Sequence, residues 1–124
     1  MTLDQYLDRI LSIVGNHWIV AEIESQEIKK PAAGDLYIRL KLSTIERSPV
    51  HIREYVILTD DTIEREDYSY QFRYEGEAGF LRYDNAHQTH HKHVNDEIVE
   101  RDEAPLLIDF LREIEQIMIE ELGG

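Results

Sequence analysis

Four of the chain's six histidines fall at His87, His90, His91 and His93, with Arg82, Tyr83 and Lys92 close by. An imidazole titrates near neutrality, so one ring can take a proton while another supplies one. Arginine and lysine alongside would stabilise a pentacoordinate phosphorane. Together these groups suit metal-free RNA cleavage, in which the 2′-hydroxyl attacks its own phosphate and no protein nucleophile is needed. In that reading His90, His91 and His93 do the acid–base work, and Tyr83 stacks on a base or donates a proton. Two other readings stay open. The imidazoles could ligate zinc, with Asp84 or His87 completing the set, although adjacent His90 and His91 point apart in any extended segment. Or the stretch is a polar loop of hydrogen-bonding histidines, a reading that weakens when four occur so close together.

Composition removes several alternatives. Without cysteine there is no disulfide framework, thiolate zinc site or cysteine nucleophile. No glycine-rich phosphate loop, GxSxG elbow or dinucleotide fingerprint occurs, and no cofactor is called for. No apolar run reaches the roughly 20 residues of a membrane helix. Asp4 and Asp8 stand where a signal peptide would be basic and then apolar, so a cytoplasmic protein without a membrane partner is expected. The formal net charge of −13 argues against non-specific polyanion binding but leaves room for a local basic patch.

The elements that must position the histidines follow from periodicity. A Thr2/Gln5 capping box precedes Leu3, Tyr6, Leu7, Ile10, Leu11 and Val14 at helical spacing, predicting a helix over 2–14 stopped by Gly15. Strands are predicted over 18–28, 36–43, 50–58, at least 68–74, and 80–84, with a hairpin loop at Glu75–Gly79. Residues 85–102 read as irregular chain. A last helix follows, with Pro105 in its first turn and a stripe including Leu107, Phe110, Leu111, Ile114, Met118 and Leu122. Short turns between consecutive strands imply a meander. The expected fold is α+β: one domain over residues 1–124, with an antiparallel five-stranded sheet packed on one face by the N-terminal and C-terminal helices.

Alternation then sorts the cations. Arg39, Lys41, Arg53, Arg73 and Arg82 should all project from the face away from the helices, joined by Tyr37, His51, Tyr55 and Gln71. A phosphodiester suits such a face, because guanidinium groups neutralise phosphate oxygens in pairs. Arg82, Arg53, Arg73 and Lys92 are the phosphate-binding candidates, and Tyr55 a stacking candidate. Arginines on a solvated sheet face also often just pair with carboxylates.

In order along the chain come Arg53-Glu54-Tyr55, Tyr68-Ser69-Tyr70-Gln71, Arg82-Tyr83-Asp84-Asn85-Ala86 and His90-His91-Lys92-His93. This set resembles the TumE-like toxins of bacterial and archaeal type II toxin–antitoxin systems, over most of the chain. The segment His87-Gln88-Thr89 is shorter than the family's usual connection, which carries Pro-His-His. The resemblance implies a toxin neutralised by an adjacently encoded helix-turn-helix antitoxin. With the site chemistry, it makes a metal-independent endoribonuclease toxin the expectation. The alternative is a non-enzymatic interaction or metal-binding module using the histidine stretch. A homodimer through a sheet edge or the last helix would be compatible with either.

Overall fold

The computed structural model describes residues 1–74 and 79–123, without the side chains of His87 and residues 121–123. Most of the loop expected at Glu75–Gly79, and the Leu122 side chain of the apolar stripe, thus lie outside the described residues. The elements are α1 (Leu3–Asn16), β1 (Val20–Lys29), β2 (Asp35–Thr44), β3 (Pro49–Thr59), β4 (Thr62–Tyr74), β5 (Gly79–Asp84), β6 (His90–Val94), β7 (Glu97–Arg101) and α2 (Leu107–Gly123). A short 3-10 turn over Ala86–Gln88 joins β5 to β6.

The strands form one antiparallel sheet in strict sequence order, β1 to β7. The α+β class and the meander follow the periodicity, but the sheet has seven strands rather than five. The chain over 85–102, expected to be irregular, holds the extra hairpin. His90–Val94 lacks the apolar alternation that marks a half-buried strand, and every residue of β7 is exposed, so neither carries a burial pattern. The signal that could have found them is the Asn95-Asp96 turn. Val94 and Glu97 face each other across it, leaving a two-residue loop. Asn95 takes φ 53°, a left-handed conformation that asparagine tolerates better than most residues. Its backbone N–H donates to the Phe80 carbonyl at 2.8 Å, and its Oδ1 accepts from the Phe80 N–H at 3.0 Å. The turn is thereby tied to β5.

One sheet face is the core. Leu36, Ile38, Leu40 and Leu42 of β2, Val50, Ile52 and Val56 of β3, and Tyr68, Tyr70 and Phe72 of β4 are buried there. They pack with Ile10 and Val14 of α1 and with Phe110, Leu111, Ile114 and Met118 of α2. Both helices therefore lie on the same side, and the opposite face is open. Thr2 caps α1 as the sequence suggests, with reciprocal bonds to Gln5 of 3.1 and 2.8 Å. Gly15, expected to end that helix, lies inside its last turn, and His17 is the C-cap. Pro105 precedes α2 instead of sitting in its first turn, and the Leu106 carbonyl receives the Asp109 and Phe110 N–H groups.

Glu54 breaks the apolar run of β3 and is fully buried. It accepts hydrogen bonds from the hydroxyls of Tyr6 on α1 and Tyr70 on β4. Arg65 donates to the Tyr70 hydroxyl and to the Pro105 carbonyl. A register shift between Tyr55 and Val56, where β3 meets β4, turns Arg65 toward this side. Burial, above all, pushes the Glu54 carboxyl upward.

Candidate active site on the open face

Register alone places two rows across the open face. One runs Lys41, His51, Gln71, Arg82, His93, and the next runs Arg39, Arg53, Ser69, Asp84, His91. Neighbours along such a row are about 4.5–5.5 Å apart at Cα. All five expected strand cations except Arg73 thus sit in two adjacent rows, and they end at two histidines.

Asp84 organises that end. It is 4% exposed on an otherwise solvated face. His91 Nδ1 lies 3.4 Å from its Oδ1, and His93 Nε2 lies 3.2 Å from its Oδ2. Arg82 Nε approaches Oδ2 at 2.8 Å, off the N–H axis, so the contact is an ion pair rather than an aligned hydrogen bond. The Ala86 N–H donates to Oδ1 at 3.2 Å, which fixes the carboxylate from the backbone. The two imidazoles are 6.1 Å apart at an interplanar angle of 56°. Each turns one nitrogen to Asp84. His91 and His93 are 21% and 24% exposed, so a ligand on this face can reach them.

Asn85 holds the carboxylate-bearing strand end in place. Its Oδ1 accepts from the Tyr68 N–H at 3.0 Å and its Nδ2 donates to the Glu66 carbonyl at 2.9 Å. Those two groups flank Asp67, close to the register shift in β4, so the side chain takes up bonds that the irregular ladder would leave open.

The remaining candidates divide between the faces. Arg53 lies one row position from Ser69 and forks onto Asp67 with two bonds of 3.3 Å. Tyr55 donates to Asp35 on the open face. Arg73 lies over the Phe80 ring at 5.5 Å, and with Lys41, Arg47, Pro49 and Glu24 it lines a groove of about 380 Å³. His51 sits between these groups. Partial burial first, then the Lys41 and Arg39 charges, push its imidazole down, which favours the neutral ring.

Tyr83, Lys92 and His90 are not brought to the histidine pair, because strand parity sends them to the helix side. Tyr83 is buried, and its hydroxyl donates to Glu113 of α2 at 2.6 Å. Lys92 pairs with the same glutamate at 2.8 Å. His90 Nδ1 lies 2.9 Å from the Tyr68 hydroxyl. The sequence motif His90-His91-Lys92-His93 is therefore split, alternate residues serving the core side and the open side. Asp84 was visible only as a spare metal ligand, and its central place comes from sharing a strand face with Arg82. Among the described residues, no group of three or more histidine, aspartate and glutamate side chains is arranged to hold a metal ion.

Residues 8–118 match the family model described as Toxin TumE. The chain belongs to the TumE toxin family. The match runs from within α1 to within α2 and so takes in every strand and the whole open face. No curated protein and no solved structure matches the chain. Membership in a toxin family implies an antitoxin as partner. Among the described residues no helix is long and apolar enough to cross a membrane.

Proposed function

We propose that this TumE-family toxin is an endoribonuclease that needs no metal and works on the open face of the sheet. The observation that carries the reading is the pair His91 and His93, held on either side of one buried carboxylate and next to Arg82. One imidazole takes the proton of a ribose 2′-hydroxyl as that oxygen attacks the adjacent phosphorus. The other gives a proton to the departing 5′-oxygen. The products are a 2′,3′-cyclic phosphate and a free 5′-hydroxyl, so the proton count closes. Arg82 supports the extra negative charge on the phosphorane, and Arg53, Arg39 and Lys41 along the rows receive flanking phosphates. Single-stranded RNA fits an open face of this kind better than a duplex, since its bases can splay onto Tyr55 or Phe80. The activity belongs to the cytoplasm, where the RNA and an adjacently encoded helix-turn-helix antitoxin are made, and residues 1–124 act as one domain.

The net charge of −13 favours a second reading, a non-enzymatic module whose histidine strand binds another protein. One experiment separates them. Wild-type protein and His91→Ala/His93→Ala are expressed with and without the neighbouring gene, and purified protein is incubated with RNA in EDTA. The expected result is cleavage by wild type with cyclic phosphate ends, reduced about 10²–10⁴-fold in the double mutant, which stays folded. Undiminished growth inhibition by a folded double mutant would sink the assignment.

A further inference from the structure

We propose that the free edge of β7 joins two copies of this chain, pairing antiparallel about Val99. Among the described residues the strand bonds only to β6 in the sheet, so its outer row of N–H and C=O groups has no strand partner there. Edge strands commonly defend themselves by shortness, proline or inward charge. β7 is short and carries Glu97, Glu100 and Arg101, yet Ile98 and Val99 are 63% and 52% exposed at the centre of the edge.

The sequence of the edge reads Glu97-Ile98-Val99-Glu100-Arg101. A two-fold axis through Val99 sets Val99 against Val99 of the second copy and Glu97 against Arg101 of the second copy, twice over. Ile98 then meets Glu100 of the second copy on the other face, where the glutamate's methylenes can cover it. All five residues are used, and each full charge on the α2 side faces its opposite. An axis through Glu100 would oppose like charges, and one through Ile98 would leave Arg101 unmatched. Charge complementarity thus selects both the occupant and the register. Pairing of this kind keeps the same face of both copies on one side. The two seven-stranded sheets become one, with the two histidine sites three strand spacings apart, roughly 14 Å.

The test is a charge swap read by the mass of the full chain in solution. Wild type is expected at twice the chain's 14.6 kDa. Glu97→Arg and Arg101→Glu each place like charges in register and should raise the dissociation constant about tenfold or more. The double variant restores both pairs and should recover the dimer. Mixing the two single variants should also recover it, because each then meets its complement. Circular dichroism confirms that the variants are folded. Wild type at single-chain mass at roughly 100 µM overturns the proposal. So do single variants that dimerise like wild type, or a swap that fails to restore pairing. Hydrogen exchange along β7 that slows only when the antitoxin is added would overturn it too, by assigning the edge to the antitoxin.

Discussion

Asp84 is the residue on which the open face depends. Among the described residues it is the only buried acid on that face, and it meets two imidazoles, one guanidinium and one backbone N–H. A carboxylate in that position orients the two rings without touching substrate. Asp84→Asn keeps the volume but turns one acceptor into a donor facing Arg82. The expected outcome is a fall in kcat of about 10²-fold with KM little changed, smaller than the ~10⁴ lost at a triad aspartate. Steady-state cleavage of a short RNA checks it, and an equal fall for a variant that melts early would mark a merely structural effect. Only part of this was legible from sequence. The adjacency of His90 and His91 already required them to part in a strand, and Arg82 and Asp84 share parity. What sequence could not supply was the distance that makes Asp84 the shared partner, since that depends on β5 and β6 pairing in one particular register.

At the scale of elements, β1 to β5 could be read because one face of each longer strand is covered by helices and shows it as alternation. The hairpin of β6 and β7 could not, because α2 does not cover β7 and the histidine strand is polar on both sides. Its turn is set instead by the left-handed residue Asn95 and its two bonds to Phe80. Asn95→Val puts a β-branched side chain at φ 53°, a conformation that costs on the order of 1–3 kcal/mol. The expected result is early loss of amide protection across β6 and β7 while β2 to β4 stay protected, measured by hydrogen exchange. Asn95→Gly, free of the Cβ clash, should keep most of that protection.

Across the whole molecule, the Glu54 network ties α1, the sheet and the chain before α2 into one unit. Its carboxyl is raised above the ordinary 4.5, chiefly by burial. The folded protein therefore holds that proton more tightly than the unfolded chain does. This group's contribution to stability falls as pH climbs past 4.5 and levels off only above the raised value. Glu54→Gln mimics the protonated form and still meets both tyrosines. Relative to wild type, its urea midpoint should compare best at neutral pH, and the advantage should shrink as the pH drops toward 4. An advantage that grows on acidification would contradict the sign. The two-layer class was legible from sequence, yet this tie was not. Glu54 reads as a mere interruption of an apolar run, and Arg65 reaches its partner Tyr70 only because the strand register shifts between Tyr55 and Val56.

The strict meander has a consequence for the order in which the toxin becomes complete. Each strand bonds to the one synthesised just before it, so pairing can follow the chain as it is made. The covering of the core cannot. Phe110, Leu111, Ile114 and Met118 of the core belong to α2, and Phe110 packs edge-on against Tyr83 of β5. A chain still lacking that helix has its histidine strand but no backing to hold it, and Lys92 and Tyr83 have no Glu113 to grip. The protein thus carries its own delay: the strands of the open face are made before the helix that backs them.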